Sequence, residues 1–151
     1  MNKLLLSCIL TAFAATTFAA DKTTAAVDTF QFTIVKENKI TPVKNQASSG
    51  TCWSFSGLGF FESELLRMGK PEVDLSEMFV VSHSYSDKAD KFVRTNGNIN
   101  FAAGGSFHDV MYVLKNYGIV PEEQMNGLNY GEENHRHGEL DALTGSYVKT
   151  L

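Results

Sequence analysis

Residues 42–56 read PVKNQASSGTCWSFS, and this stretch contains the residue with the clearest chemical potential, Cys52. A loop of small residues ends at the cysteine, and a helical pattern follows, in which Leu58, Phe61 and Leu65 recur at helical spacing. The first turn of a helix carries unpaired N–H groups and partial positive charge. Such a position favours the thiolate, the nucleophilic form of cysteine. The stretch therefore predicts a nucleophile at the start of a helix.

An amide side chain, Gln46, precedes this cysteine in the same loop. The backbone N–H of Cys52 points out of the helix end, so it and the Gln46 amide form two candidate donors to an oxyanion. A nucleophile with two such donors suits acyl transfer on a carbonyl. Taken alone, however, a single cysteine followed by tryptophan is more often a small buried hydrophobic residue than a catalyst.

The same stretch closely resembles the active-site segment of papain-like cysteine peptidases. Gly50, Cys52 and Trp53 match the local signature of that family. Ser49 stands where the signature has a cysteine, and Thr51 stands where it has serine or alanine.

A second block, GGSFHDVMYVLKNYGIVPEE at residues 104–123, resembles the glycine pair, helix and tyrosine-glycine turn of that family. In this alignment Ala102 falls at the position of the disulfide partner of the residue at Ser49, so both halves of the bridge are absent. These features together are most similar to the bleomycin hydrolase and aminopeptidase C branch. The resemblance covers about residues 33–130.

The resemblance implies a papain-like α+β fold, with this chain covering mainly the helix-rich N-terminal (left) domain. Residues 33–151 are expected to be the N-terminal part of a peptidase domain whose β-barrel-like right domain is largely absent. The catalytic histidine and asparagine of the family are expected about 130–150 residues after the cysteine, beyond Leu151. The chain is therefore predicted to be a fragment that is inactive alone.

The resemblance also implies roles for the matching positions. Cys52 is the expected nucleophile of a cysteine-type peptidase, here an aminopeptidase, and Gln46 is the expected oxyanion donor. Gly104 and Gly105 are expected to present their backbone to a peptide substrate, because a missing Cβ permits close approach. Trp53 is expected beside the catalytic groups, as part of the substrate-binding surface. No cofactor and no metal site are expected, and the hexamers of relatives in that branch imply homo-oligomer formation.

None of the four histidines fits the missing base. His83 is predicted in or at the end of the second helix, and His108 in the third helix. His135 and His137 stand in a polar stretch that is predicted to be a solvated loop, since two ligands alone seldom make a metal site.

Residues 1–20 have the pattern of a secretory signal peptide, in which a short positive region with Lys3 precedes an apolar run and a small-residue cleavage site. The apolar run is too short to span a membrane. The mature protein is therefore predicted to be exported, either periplasmic or secreted, without membrane association after cleavage. Residues 21–32 are expected to be a short leader.

Charge and cysteine content exclude several classes of protein. The net charge of −4 and the pI near 5.5 argue against a nucleic-acid binder. Two cysteines, one of them inside the predicted signal peptide, exclude a disulfide-dense scaffold and a four-cysteine zinc site.

Local patterns predict the remaining elements. Alternating residues favour a strand over residues 30–35, and residues 147–151 resemble the start of another strand. Ser76 is the predicted N-cap of the second helix. Gly69 and Gly118 are predicted to end the first and third helices.

Two other hypotheses remain open at this stage. The first is a non-enzymatic module that captures peptides or a partner subunit in its half of the cleft. The second is a redox-active or bridging thiol, since Cys52 is the lone cysteine of the predicted mature chain.

Overall fold

The computed structural model describes residues 30–151, so the predicted signal peptide and leader residues 21–29 lie outside the described residues. The chain divides into two units, Met1–Val35 and Lys36–Leu151. In the described part of the first unit, residues 30–35 are exposed and have no regular secondary structure. The strand predicted there is therefore wrong. Alternation alone does not make a strand, because the backbone groups of a strand need a neighbouring strand to pair with.

The second unit is built from helices. It contains α1 (Cys52–Arg67), α2 (Glu77–Arg94), α3 (Phe107–Asn116), a short 3-10 helix (Glu122–Gln124) and α4 (Gly138–Thr150). The first three helices pack on one another, and α4 packs on α2. Within residues 30–151 no strand is formed, which confirms the predicted helix-rich left domain. No helix in this part of the chain is long and apolar enough to cross a membrane.

The core lies between α1, α2 and α3. Its buried apolar side chains are Trp53, Leu58, Leu75, Met78, Val80, Val81, Val110 and Val113. Leu58, Val80, Val110 and Val113 have no exposed surface at all. Burial of apolar area is the main favourable term in folding, so this cluster fixes how the three helices sit around the start of α1.

The predicted helix boundaries around this core are confirmed. The Ser76 hydroxyl accepts the Phe79 N–H at 2.9 Å and so caps α2. Gly69 follows the end of α1 with φ +73°, and Gly118 follows the end of α3 with φ +84°. These left-handed conformations favour glycine at the residue that ends a helix.

The strand predicted at residues 147–151 is wrong, because this segment belongs to α4. Glu139 and Asp141 lie in the first turn of α4, where negative charge stabilises the helix. Val148 is buried, and the Tyr85 hydroxyl of α2 donates to Asp141 at 3.0 Å. Contacts with α2 therefore outweigh the local strand preference.

Candidate active site

Cys52 is the first residue of α1 and carries an exposed free thiol. The Thr51 carbonyl accepts the N–H groups of Ser54 at 2.9 Å and Phe55 at 3.3 Å, which starts the helix. The Thr51 hydroxyl makes no capping hydrogen bond to the first turn. The positive end of α1 is therefore left open beside the thiol.

Cys52 and Gln46 border the same groove, which has a cavity volume of about 390 Å³. The loop before α1 forms one side of this groove, and the exposed side of α1 forms the other. Further lining residues are Ile40, Pro42, Val43, Phe55, Ser56 and Gly59. The structure thus brings the predicted nucleophile and the predicted amide donor to one surface.

The loop before α1 is anchored by Lys44. Its Nζ lies 3.3 Å from Oε1 of Glu62 on α1 and 2.7 Å from Oε1 of Glu77 on α2. It also donates to the Leu75 carbonyl at 3.0 Å. Glu62 and Glu77 are only 1% and 2% exposed. Buried carboxylates need a paired cation, so Lys44 ties the loop to both helices.

Glu62 provides a second anchor for the same loop. Its carboxylate accepts the Thr41 hydroxyl at 2.6 Å and the Leu75 N–H at 2.8 Å. One buried side chain of α1 therefore holds both the loop before the cysteine and the loop that leads into α2. No local pattern in the sequence indicates this charge cluster, because its members lie far apart in the chain and belong to no motif.

The ionisation of the cluster follows from burial and pairing. Burial lowers the pKa of Lys44, but hydrogen bonds with Asp74 and Glu77 and the charge of Glu62 outweigh it, so the pKa lies above its ordinary value. Burial raises the pKa of Glu77 to about 7, against the opposing effect of Lys44. The lysine therefore stays charged at neutral pH.

Hydroxyl groups close the loop where the family signature has a cysteine. Ser49 is buried, and its Oγ donates to the Gln46 carbonyl at 2.8 Å. The same Oγ lies 2.5 Å from Oγ1 of Thr51, which is also buried. These hydrogen bonds link Gln46 to the residue that begins α1, in a loop without a disulfide.

The predicted glycine pair lies against the residue that follows the cysteine. Trp53 is buried, and its Nε1 donates to the Ala103 carbonyl at 3.0 Å. A Cβ on Gly105 would come within 2.5 Å of the indole, whereas a Cβ on Gly104 would meet open space. Trp53 therefore supports the glycine pair from the core, and its contact with a substrate stays a prediction.

A lysine of α2 completes this corner of the site. Lys88 Nζ donates to the Gly104 carbonyl at 2.7 Å and lies 5.2 Å from the centroid of the Trp53 ring. Burial lowers the pKa of Lys88, and the charge of Asp109 partly opposes this. No motif pointed to Lys88, since only the packing of α2 brings it to the glycine pair.

Gly105→Ala is expected to destabilise the protein by about 1–3 kcal/mol, because the new methyl group would force the buried Trp53 ring to move. Gly104→Ala is the matched control and should be nearly neutral. Urea unfolding of both variants measures the difference. Equal unfolding midpoints would contradict the close contact between Gly105 and the indole.

His135 and His137 are buried, at 7% and 5% exposed, so the prediction of a solvated loop is wrong. Their segment pairs with the loop before the cysteine. The Ser48 N–H donates to the His135 carbonyl, and the His137 N–H donates to the Ser48 carbonyl, both at 3.0 Å. The His135 ring also lies against Phe55 of α1, with centroids 6.2 Å apart. This burial comes from contacts between distant segments, which a polar local sequence does not reveal.

The other two histidines lie on helices, as predicted. His83 of α2 stacks on Tyr117, with ring centroids 4.2 Å apart, and His108 of α3 is exposed. None of the four histidines lines the groove of Cys52. Within residues 30–151, no group of three or more His, Cys, Asp or Glu side chains is arranged to hold a metal ion.

Comparison with known proteins extends the resemblance seen at Cys52. Residues 25–149 match the model of the papain family cysteine proteases. Human cathepsin L2 is 35% identical over 88 residues, which cover 58% of this chain and 24% of that protein. A cysteine proteinase of Trypanosoma brucei brucei is 31% identical over 115 residues, covering 70% of this chain and 24% of that protein. Cysteine proteinase A of Leishmania mexicana is 46% identical over 43 residues, covering 28% and 12%.

The chain spans about a quarter of the length of the human and trypanosomal relatives. The relatives named above are a cathepsin and two cysteine proteinases. Their names agree with the family predicted from the cysteine motif, but they do not single out the predicted bleomycin hydrolase and aminopeptidase C branch. The family match covers most of the chain and includes both Cys52 and the glycine pair. This chain belongs to the papain family of cysteine proteases.

Proposed function

We propose that this chain carries the nucleophile and the oxyanion donors of a peptidase that hydrolyses peptide bonds through an acyl-enzyme on Cys52. The observation that carries the proposal is the position of this thiol. It is exposed at the open N-terminus of α1, and it shares a groove with Gln46. A thiol at a helix N-terminus beside an amide donor is suited to attack on a carbonyl.

In this reaction, a general base takes the proton of the Cys52 thiol and later returns it to the leaving amine. Sγ of Cys52 forms a bond to the carbonyl carbon of the substrate, and the π electrons move to the carbonyl oxygen. The Cys52 N–H and the Gln46 side-chain amide stabilise the resulting oxyanion. Collapse of this intermediate breaks the C–N bond, and the leaving amine takes up a proton. Water then hydrolyses the thioester, which releases the acid and restores the thiol.

We further propose that the 151-residue chain by itself has little or no turnover. A general base and a general acid are needed for the two proton transfers of this reaction. None of the four histidines of the chain lines the groove of Cys52.

The substrate class is proposed from the resemblance of residues 48–53 and 104–123 to the bleomycin hydrolase and aminopeptidase C branch. This resemblance favours peptide substrates with a free amino terminus. Cathepsin names among the relatives make an endopeptidase the competing subtype, and the two subtypes differ in whether a blocked amino terminus is tolerated.

The test uses the purified chain and the longer protein that contains it, with an aminoacyl-amide and its N-acetylated peptide counterpart. The longer protein is expected to hydrolyse the free-amine substrate, and a peptidyl epoxide should label Cys52 and stop the reaction. Preference for the acetylated substrate would contradict the aminopeptidase subtype. Hydrolysis by the short chain would contradict its inactivity, and hydrolysis that survives complete labelling of Cys52 would contradict the proposed function.

A further inference from the structure

Two buried imidazoles lie behind the loop that carries Gln46. His135 and His137 are more than nine-tenths buried, and their ring centroids are 5.8 Å apart. In the part of the chain that the structure describes, Nδ1 of neither ring has a hydrogen-bond partner. A charge on either ring would be a buried cation without a partner, which is costly. The folded arrangement therefore favours a neutral His135 ring.

The backbone of this histidine pair holds the loop directly. The two hydrogen bonds at Ser48 join the loop to the carbonyl of His135 and to the N–H of His137, each at 3.0 Å. Ser49, the next residue, donates to the Gln46 carbonyl. The oxyanion donor is thus held through Lys44 on its N-terminal side in the chain and through Ser48 on its C-terminal side.

The surroundings of the pair offer it little compensation for a positive charge. Phe55 of α1 packs on His135, and Gly127 lies close to both His135 and Met78 of α2. The charged or titratable side chains of the adjoining elements include Lys44, Cys52, Glu77, Glu132, Glu133, Arg136, Glu139 and Asp141.

The carboxylates among these side chains either have other partners or are exposed to solvent. Glu77 pairs with Lys44, and Asp141 accepts the Tyr85 hydroxyl. Glu132 lies 3.9 Å from the exposed Arg136. Glu139 is exposed to solvent, where water screens its charge.

We propose that the buried His135–His137 pair is a positioning element for the loop that carries Gln46, and that protonation of His135 releases Ser48. The catalytic consequence, a loss of oxyanion stabilisation in mild acid, rests on the proposed peptidase function. The release of Ser48 does not depend on that function.

The sign of the pH dependence follows from burial. Burial, together with the neighbouring His137, lowers the pKa of His135 below its ordinary value of 6.5. Between 6.5 and the lowered value, the released state binds more protons than the docked state. The docked loop is therefore fully stable above pH 6.5 and becomes less stable as the pH falls through the lowered pKa.

The structural test is amide hydrogen exchange in the purified 151-residue chain at about pH 7.5 and about pH 5, corrected for intrinsic rates. Protection of the Ser48 and His137 amides is expected to fall more between these two pH values than protection in the core of α1. The double variant His135→Gln/His137→Gln should lose this pH dependence. His108→Gln, an exposed helical histidine, is the matched control and should keep it.

Equal protection of Ser48 at both pH values would overturn the proposal, as would an unchanged pH dependence in the double variant. If the double variant does not fold, His135→Leu alone is measured in the same way. In the longer protein, the acid limb of the kcat/KM profile should move to lower pH in the double variant while KM changes little. Absence of hydrolysis in every variant would count against the proposed function only, because the exchange result stands independently.

Discussion

Cys52→Ser is expected to lower kcat/KM for peptide substrates by at least about 10³-fold in the protein that contains this chain, because loss of a nucleophile removes the covalent route. Cys52 is exposed, so a change of sulfur to oxygen should leave the fold intact. Steady-state kinetics and the unfolding midpoint of the same preparation separate these two effects. Ser86→Ala removes an exposed hydroxyl from α2 and is the control, because it should change neither kcat/KM nor the unfolding midpoint.

The outcome of this substitution also decides between the competing hypotheses. Hydrolysis within a few-fold of the unmodified protein would contradict the proposed peptidase. Unchanged peptide binding by the Cys52→Ser variant of the 151-residue chain would instead support a binding module. Dimers of the chain that disappear on addition of a reductant would support a bridging thiol.

Lys44→Met is expected to destabilise the fold by about 3–5 kcal/mol, the usual cost of removing one partner from a buried ion pair. The substitution keeps most of the side-chain volume but leaves Glu62 and Glu77 buried without a cation. Urea unfolding at neutral pH measures the loss. The loss should be smaller in mild acid, since Glu77, whose pKa burial raises to about 7, can then take up a proton.

Two comparisons make this prediction specific. Lys39→Met removes an exposed lysine from the same segment and should change stability by no more than about 0.5 kcal/mol. Lys44→Met/Glu77→Gln removes both members of one pair and should recover part of the loss. If Lys44→Met is no more harmful than Lys39→Met, the buried cluster does not anchor the loop.

The features that the sequence predicted correctly are local. Ser76 caps α2 through a contact with a residue three positions later, and Gly69 ends α1 through its own backbone conformation. The start of α1 at Cys52 follows from a loop of small residues and from the apolar spacing behind it. Such signals depend on neighbours within about one helical turn, which a single sequence contains.

The features that the sequence missed depend on distant neighbours. Residues 147–151 have a local pattern typical of a strand, yet contacts with α2 stabilise them as a helix. Lys44, Glu62 and Glu77 each look like ordinary surface charges until the three chain segments meet. The strand predicted at residues 30–35 has no partner strand within the described part of the chain.

By itself, the sequence determined the family and the helical character, because a short motif around Cys52 and periodic apolar residues encode them locally. The role of Cys52 as the nucleophile stays a prediction. The tertiary structure alone decided how the loop of Gln46 is held. Burial turned Lys44 into an anchor and placed His135 and His137 behind Ser48. A polar side chain becomes buried only when segments that are distant in the sequence pack against it and exclude water, so its burial cannot be predicted from its local sequence.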